Sequence, residues 1–301
     1  MESVLITGGT GLIGKHLAKK LQLKGYKVAL LSRTGIPSAD ISVYRWEPDN
    51  NKIDVKALSG ADYIIHLAGE GIGDKRWTKK RRQLILDSRV KTCELLFNTL
   101  KETASEIKAF ITASGIGYYG SVTSEKIFRE SDLPGDDYLA EICMQWEKAA
   151  ERFENYGIRT VKIRTGIVLA GNGGAIARMM IPVKAGIGSA IGTGRQYHPW
   201  IHIEDLCNIY IRAIEDNTLT GAYNAVAPDH KTNKEFIQAL ARLFNRPFFF
   251  PDIPAFVLKI LYGEMSGILL NGSRISCEKI MASGYSFLFP DLEGAFGDLF
   301  Q

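Results

Sequence analysis

The sequence predicts an α/β protein with a parallel β-sheet that helices cover on both faces. Short runs of Val, Ile and Leu alternate with longer amphipathic stretches through the first half of the chain. Strands that are apolar at nearly every position are typical of buried parallel sheets, and their alternation with helices is typical of doubly wound folds. A glycine-rich turn between the first strand and the first helix supports the same class.

The elements of the first half are predicted from the period of their apolar residues. Residues 12–24 carry apolar side chains at helical spacing, whereas residues 3–7 form a short apolar run of strand length. By the same criteria the further strands are 27–31, 62–67, 108–112 and 160–163, and the further helices are 78–101 and 139–156.

Beyond residue 165 the pattern is less regular. Residues 171–194 are rich in glycine and predict a loop with one short helix. The aromatic run from Phe248 through Phe249 to Phe250 is expected in the core of the C-terminal part. The other expected elements are a strand at 200–203, a helix from about 204, a strand at 223–226 and a helix at 233–244 with Thr232 as N-cap.

The composition indicates a globular protein with a sizeable core. The chain has 301 residues, 46% of them hydrophobic and 23% charged, which excludes a mainly disordered or collagen-like chain. Its formal net charge of +4 is too small to indicate a nucleic-acid partner. Four cysteines lie far apart without metal-ligand spacing, so we expect buried, reduced thiols. The apolar start and the shortness of the longest apolar stretch, 253–262, predict a cytoplasmic protein without signal peptide or membrane contact.

The strongest local motif is the glycine-rich turn at residues 7–14. Gly8 would allow the tight turn, Gly11 would let a pyrophosphate approach the backbone, and Gly14 would let helix and strand pack closely. Free N–H groups at the helix start would then bind the phosphates of a dinucleotide, although a purely structural turn is the alternative. The predicted phosphate-binding residues are Gly8, Thr10, Gly11, Leu12, Ile13 and Gly14.

The residues after the second strand indicate which dinucleotide would bind. An NAD-type site places Asp or Glu here to accept the ribose 2′-hydroxyl, whereas this chain has Ser32, Arg33 and Thr34. Arg33 can pair with a 2′-phosphate, and the two hydroxyls can donate to it. The sequence therefore predicts NADP(H) over NAD(H), with a solvated surface arginine as the alternative.

The glycine-rich turn and the string His66-Leu67-Ala68-Gly69 resemble the extended short-chain dehydrogenase/reductase superfamily, with its nucleotide-sugar epimerases and dehydratases. Further strings resemble its atypical "epimerase family protein" subgroup, and the tail from about residue 246 to 290 resembles that subgroup's C-terminal domain of unknown function. These strings are Leu67-Ala68-Gly69-Glu70, Lys75-Arg76-Trp77-Thr78, Asp87-Ser88-Arg89-Val90, Gly117-Tyr118-Tyr119-Gly120, Arg164-Thr165-Gly166-Ile167-Val168-Leu169, Gly194-Arg195-Gln196 and Trp200-Ile201-His202-Ile203-Glu204-Asp205-Leu206.

The resemblance implies a Rossmann-type fold with NADP(H) as cofactor, a small-molecule substrate and a smaller α/β domain on the substrate side; an oligomer is compatible with it. The NADP-binding domain would span residues 1–165, with an interleaved return around 196–226, and the substrate-side domain residues 166–301. The residues implied at the cofactor are Leu67, Ala68, Gly69, Glu70, Arg89, Thr165, Gly166 and Val168, and those implied on the substrate side are Arg195, His198 and Trp200.

The superfamily's chemistry uses a Ser or Thr after the fifth strand and a Tyr-x-x-x-Lys pair on the next helix, in which the Lys lowers the pKa of the Tyr. Ser114 is the counterpart of the Ser and Tyr138 of the Tyr, but Ile142 replaces the Lys. Three alternatives stay open. Tyr138 or Tyr119 works with another cation, a carboxylate such as Glu141 moves the proton, or the site binds NADP(H) with little turnover.

Three further patterns admit more than one interpretation. His198 and His202 have His-x-x-x-His spacing, but Pro199 and strand-forming neighbours argue against a metal-binding helix, so we expect no metal. The basic run at residues 75–82 indicates a solvated face, or guidance of an anionic cofactor and substrate, rather than nucleic acid. The glycine-rich segment 171–194 is either a mobile lid above the nicotinamide or a permissive structural loop.

Two functions are compatible with these patterns. The first is an NADP(H)-dependent oxidoreductase or epimerase-like enzyme acting on a small hydroxyl- or keto-bearing molecule, sugar-derived compounds included. In that enzyme Ser114 would polarise the substrate oxygen, and Tyr138 or Tyr119 would supply the proton. The second is a non-catalytic NADP(H)-binding sensor or regulatory protein, which the missing lysine favours.

Overall fold

The computed structural model describes residues 1–34, 41–171 and 173–300. Its strands in chain order are β1 (Ser3–Thr7), β2 (Lys27–Ser32), β3 (Ser42–Glu47), β4 (Lys52–Ile53), β5 (Tyr63–His66), β6 (Ala109–Gly115), β7 (Ile127–Phe128), β8 (Arg159–Thr165), β9 (Ile167–Leu169), β10 (Trp200–His202), β11 (Gly221–Ala225) and β12 (Arg274–Ile275). Its helices are α1 (Leu12–Leu23), α2 (Lys79–Glu102), α3 (Tyr138–Asn155), α4 (Gly174–Lys184), α5 (Ile203–Glu215), α6 (Asn233–Leu243), α7 (Ala255–Tyr262), α8 (Gly267–Leu270), α9 (Glu278–Ala282) and α10 (Leu292–Phe300).

Among the described residues, the central sheet has eight strands in the order β11-β8-β6-β5-β1-β2-β3-β4. Neighbouring strands run parallel except at one edge, where β4 pairs antiparallel with β3. Strand β1 lies between β2 and β5, so the strand order reverses there, and open α/β sheets bind ligands in the crevice at such a switch point. The predicted doubly wound α/β fold is confirmed.

Alternate residues of the buried strands face two different cores. In β1, Val4 and Ile6 belong to the core shared with α1 and α5, whereas Leu5 belongs to the core shared with α2 and α3. Because both faces of the sheet are covered, such a strand needs an apolar residue at nearly every position. This is why the strands appear in the sequence as continuous apolar runs rather than as alternating ones.

A third core joins α4, α6 and α10 in the C-terminal half. Trp200, Phe236 and Phe296 lie at its centre and are fully buried. Helix α4 occupies most of the first half of the glycine-rich segment 171–194, in which residue 172 lies outside the described residues. Whether this segment moves as a lid stays open.

In the described part of the chain beyond β8, one strand returns to the central sheet. Strand β11 pairs with β8 at the sheet edge, whereas β10 pairs with β9 in a separate two-stranded ribbon. The domain division at residue 165, with its return around 196–226, stays a prediction.

The expectation that the aromatic run lies in the core is wrong for two of its three residues. Phe248 packs against the third core, whereas Phe249 is 74% exposed and Phe250 38%. The connection between α6 and α7 is irregular and interrupted by Pro247 and Pro251, so it runs along the surface. The two exposed rings stack on each other with their centroids 4.8 Å apart.

The four cysteines are buried free thiols, as expected. Burial raises the pKa of each thiol, so each remains protonated at neutral pH and packs as a small apolar side chain.

Candidate dinucleotide-binding site

The glycine-rich turn lies between β1 and α1, at the switch point of the sheet. The amide of Gly11 donates to the carbonyl of Gly8 at 3.0 Å and closes the turn. Gly8 has a φ of +69°, and a Cβ there would lie 2.7 Å from the backbone of Leu67. A Cβ on Gly14 would lie 2.4 Å from the carbonyl oxygen of Gly8. Both positions require glycine, because the neighbouring atoms are backbone and cannot move aside.

The first turn of α1 begins at the edge of the crevice, and its backbone N–H groups have no partner within the helix. Gly11 is its N-cap residue, no side chain caps it, and the turn carries no acidic residue. The uncapped helix start therefore offers unpaired donors and a partial positive charge, which suits a phosphate. Leu12, Ile13 and Gly14 are the first three residues of the helix.

A cleft of about 380 Å³ opens beside this turn at the carboxyl ends of β1, β2 and β5. The fold brings together here three segments that are far apart in sequence: the turn, the residues after β2 and the residues after β5. The sequence-predicted residues that line the cleft are Gly8, Thr10, Gly11, Ser32, Arg33, Thr34, Leu67, Ala68, Gly69 and Glu70.

The cleft also has walls that the sequence analysis missed. Trp46 and Asp49, at and after the end of β3, contribute one wall, and Asp87 and Ser88 on α2 contribute another. The Ser88 hydroxyl accepts a hydrogen bond from the amide of Glu70 at 2.9 Å, so α2 holds the loop after β5 in place. The position of Asp87 and Ser88 directly before Arg89 is the signal that could have identified them.

Arg33 stands at the mouth of the cleft with 73% of its side chain exposed. Its Nη1 lies 3.5 Å from Oε1 of Glu70. The hydroxyls of Ser32 and Thr34 lie 3.1 Å apart beside it. An exposed guanidinium with two neighbouring hydroxyls is the donor set that a 2′-phosphate requires.

Arg89 lies beneath the loop after β5 and is only 6% exposed. Its Nη2 donates to the carbonyl of Glu70 at 3.0 Å, and its Nη1 donates to the carbonyl of Ile85 at 2.9 Å. A Cβ on Gly69 would lie 3.0 Å from the Arg89 Cζ, so the glycine leaves room for the guanidinium. Arg89 therefore supports the cleft wall, and its direct contact with a cofactor stays a prediction.

Ser114 and Tyr119 belong to a buried hydrogen-bond network. The Ser114 hydroxyl donates to the Glu147 carboxylate at 2.7 Å, and Arg164 donates to both oxygens of that carboxylate at 2.8 and 2.9 Å. Arg164 also donates to the Tyr119 hydroxyl at 3.0 Å. That hydroxyl in turn donates to the side-chain carbonyl of Asn224 at 2.7 Å.

This network engages the hydroxyls of Ser114 and Tyr119, and their action on a substrate stays a prediction. The two residues are 4% and 2% exposed, and like Tyr138 they are not among the described residues that line the cleft of about 380 Å³. Burial raises the pKa of Tyr119 to about 12, which is opposite to the change that a general base at neutral pH needs. In this structure their hydroxyls complete the hydrogen bonding of the buried Glu147–Arg164 ion pair.

Tyr138, the first residue of α3, is half-buried. Its hydroxyl donates to the backbone carbonyl of Arg82 at 2.9 Å, and its ring packs against Trp77 with 4.8 Å between centroids. Burial raises the pKa of Tyr138, while the positive charges of Arg82 and Arg89 act in the opposite direction. Ile142, one turn further on, is fully buried, so the position of the missing lysine faces the core.

The residues expected at the nicotinamide lie where β8 passes into β9. Thr165 ends β8, Val168 lies in β9, and both are half-buried. Gly166 allows a close backbone approach, since a Cβ there would lie 2.7 Å from the carbonyl oxygen of Pro199. Contact of Thr165, Gly166 and Val168 with a cofactor stays a prediction.

Of the three residues expected on the substrate side, only Arg195 is exposed. His198 and Trp200 are 3% and 0% exposed, and they pack with Phe236 in the interior. Burial lowers the pKa of His198 to about 4, so its ring is neutral at neutral pH. Both side chains are packed in the interior, and the assignment of His198 and Trp200 to the substrate side stays a prediction.

The described part of the chain contains no group of three or more His, Cys, Asp or Glu side chains that could hold a metal ion. Of the two histidines with metal-like spacing, His202 instead caps α5, where its Nδ1 accepts from the amide of Glu204. Over the same described ranges, no helix has the length and apolar character needed to cross a membrane.

The fold and the glycine-rich turn define a Rossmann-type protein of the short-chain dehydrogenase/reductase class. The sequence profile of the "NAD dependent epimerase/dehydratase family" matches residues 4–225, and that of a domain of unknown function (DUF1731) matches residues 253–299. The chain belongs to the NAD dependent epimerase/dehydratase family. The resemblance to the epimerase family proteins, including their C-terminal domain, is confirmed.

Individual relatives match along almost the whole chain. The epimerase family protein SDR39U1 of Mus musculus is 37% identical over 302 residues, covering 98% of this chain and 99% of that protein. The epimerase family protein YfhF of Bacillus subtilis (strain 168) is 35% identical over 300 residues, covering 99% of this chain and 97% of that protein. The crystal structure of human SDR39U1 (isoform 2) with NADPH superposes with a TM-score of 0.87 at 33% identity, covering 99% of this chain and 98% of that one.

Proposed function

We propose that this chain is an NADP(H)-dependent oxidoreductase or epimerase-like enzyme that acts on a small hydroxyl- or keto-bearing molecule. The observation that carries the cofactor assignment is the cleft with Arg33 at its mouth and the uncapped start of α1 beside it. The NADPH in the human relative, at 33% identity across nearly the whole chain, supports the same cofactor here.

The residues of this chain fit the phosphates of NADP(H). The free N–H groups at the start of α1 would bind the pyrophosphate, and Arg33 with Ser32 and Thr34 would bind the 2′-phosphate. NADP(H), when bound, supplies or accepts a hydride at its nicotinamide ring.

Tyr138 is the proton donor in this proposal. Its pKa is raised, so its Oη carries a proton at neutral pH and can act as a general acid. It would release the carbonyl of Arg82 and donate that proton to the oxygen of a substrate carbonyl undergoing reduction. In the reverse direction, oxidation of a hydroxyl would need the tyrosinate of Tyr138 as base, and position 142 holds no lysine to stabilise that tyrosinate.

A non-catalytic NADP(H)-binding sensor or regulatory protein is the second candidate. The observation that favours it is the burial of Ser114 and Tyr119 in the Glu147–Arg164 network, which leaves Tyr138 and Glu141 as the predicted proton-transfer groups outside that network.

Two measurements test the proposal: fluorescence titration with NADPH, and oxidation of stoichiometric NADPH by a panel of aldehydes, ketones and keto sugars. We expect Tyr138→Phe to bind NADPH like the native chain but to lower turnover by about 10²- to 10⁴-fold, the usual contribution of a general acid. Tyr156→Phe, at an exposed tyrosine just after α3, is the matched control and should leave turnover unchanged.

Each other outcome has a definite meaning. NADPH binding without oxidation by any compound would support the non-catalytic candidate. Equal turnover in Tyr138→Phe and the native chain would exclude Tyr138 as the proton donor.

A further inference from the structure

The carboxylate of Glu70 stands beside the arginine that would bind the 2′-phosphate. Its Oε1 lies 3.5 Å from Nη1 of Arg33, and both residues line the same cleft. A carboxylate here can compete with a phosphate for Arg33, and it can accept the 2′-hydroxyl of an NAD(H) ribose. The sequence has no acidic residue at positions 32–34, but the fold brings one to this place from the loop after β5.

Arg81 holds that carboxylate from its other side. Its Nη1 lies 3.0 Å from Oε2 of Glu70, and its Nη2 donates to the carbonyl of Gly71 at 2.7 Å. The Arg81 side chain is 11% exposed, against 73% for Arg33, so solvent screens the Arg81–Glu70 pair less than the Arg33–Glu70 pair. In agreement with this, the pKa of Glu70 is lowered, and the hydrogen bond from Arg81 is the largest cause.

The position of Arg81 in its helix also indicates a tertiary role. Helix α2 begins with four consecutive basic residues, and its first turn has no acidic one. The helix dipole disfavours positive charge at an N-terminus, so this run does not stabilise the helix itself. Within it, Arg81 points to Glu70, whereas Lys80 of the same turn is exposed.

We propose that Arg81 is a specificity-determining residue that selects NADP(H) over NAD(H). Arg81 neutralises the charge of Glu70 and holds its carboxylate in place. The guanidinium of Arg33 can then bind the 2′-phosphate, and the Glu70 carboxylate cannot accept a ribose hydroxyl. Without Arg81, Glu70 pairs with Arg33, repels the 2′-phosphate and accepts the 2′-hydroxyl of NAD(H). The inference rests on the proposed binding of NADP(H) and concerns which dinucleotide the same cleft prefers.

The test is fluorescence titration of the full chain with NADPH and with NADH at one fixed ionic strength. Arg81→Met keeps the apolar stem and removes the charge, so the Kd for NADPH should rise about tenfold while the Kd for NADH stays constant or falls. Lys80→Met is the matched control, because it removes the same charge from an exposed position of the same turn. Its ratio of the two Kd values should equal that of the native chain.

Glu70→Gln shows whether Arg81 acts through Glu70. In the Glu70→Gln background, Arg81→Met should change the NADPH-to-NADH preference by less than about twofold, because the carboxylate it holds is gone. Arg81→Lys keeps the positive charge and should keep the preference for NADPH. A changed preference in Arg81→Met but not in Arg81→Lys would therefore come from the lost charge and not from misfolding.

Three results would overturn or redirect the proposal. Equal weakening of NADPH binding with and without Glu70 would mean that Arg81 contacts the phosphate directly. Equal weakening of NADPH and NADH would mean that Arg81 only supports the loop. Either result overturns the inference, whereas a native chain that binds neither dinucleotide would contradict the proposed function instead.

Discussion

Glu147 and Arg164 form an ion pair whose side chains are only 7% and 4% exposed. Ser114 and Tyr119 supply further hydrogen bonds to the two charges. A buried pair is tolerated when its hydrogen bonds are complete, and removing one partner leaves the other as an uncompensated charge in the interior. The two hydroxyls therefore help to stabilise the contact between the sheet and α3.

Removing the charge of Glu147 tests this role. We expect Glu147→Gln to lower the free energy of unfolding by about 3 to 5 kcal/mol, because Arg164 stays buried without its counter-ion. Glu151→Gln, one turn further along α3 and 49% exposed, is the matched control and should cost less than about 1 kcal/mol. Urea unfolding followed by circular dichroism measures both. Equal effects of the two substitutions would contradict a structural role for the buried pair.

An individual site residue could be predicted from the sequence where the local backbone geometry requires one residue type. Gly8 and Gly14 follow from the turn itself, and the structure gives each a local reason to be glycine. The direction of a side chain is not local: Ser114 points to α3 because of how β6 lies in the sheet. The approach of Glu70 to Arg33 depends on β2 and β5 flanking β1, which no sequence spacing encodes.

At the scale of elements, the start of α6 is an example of a helix boundary that residues close in sequence determine. The amide of Thr232 donates to the Glu235 carboxylate at 2.8 Å, and the Thr232 hydroxyl accepts from the Glu235 amide at 3.3 Å. This capping box is visible in the sequence because both partners lie within four residues. Strands β4, β7 and β12 have two residues each, and the charged Arg45 breaks the apolar pattern of β3, so these strands lack a local signal and depend on their partner strands.

Removing the Thr232 side-chain cap should destabilise the start of α6. We expect Thr232→Ala to lower the free energy of unfolding by about 1 kcal/mol, the usual cost of losing an N-cap side chain. Thr232→Ser keeps the hydroxyl and should stay within about 0.5 kcal/mol of the native chain. The midpoints of urea unfolding compare the two. A loss in the serine variant as large as in the alanine variant would mean that packing of the methyl group, not capping, stabilises the helix start.

At the scale of the whole molecule, two neutral histidines lie in separate parts of the interior. His66 ends β5, where its Nδ1 lies 2.7 Å from the Thr7 hydroxyl and its Nε2 lies 3.2 Å from the Thr92 hydroxyl. His198 lies beside the third core, with its ring 5.6 Å from that of Phe236. Burial lowers the pKa of both rings to about 4. Two separate parts of the interior therefore each hold a histidine that resists protonation.

This burial predicts that the protein loses stability in mildly acidic solution, before its carboxylates titrate. The unfolded chain binds protons at these histidines below its ordinary pKa of about 6.5, whereas the folded chain excludes them until about pH 4. Their contribution is therefore present above pH 6.5 and is lost as the pH falls towards 4. His202 and His230, whose pKa values burial also lowers, act in the same direction.

Between pH 7.0 and 5.5 we expect His66 and His198 together to lower the free energy of unfolding by about 2 to 3 kcal/mol, since a pKa difference of one unit corresponds to about 1.4 kcal/mol. Urea unfolding at the two pH values measures this loss. His66→Gln serves as the comparison: whatever its stability at pH 7.0, its loss between the two pH values should be smaller by about 1 kcal/mol. A native chain equally stable at both pH values would contradict the prediction, because His66 and His198 take up protons across this range in the unfolded chain and not in the folded one.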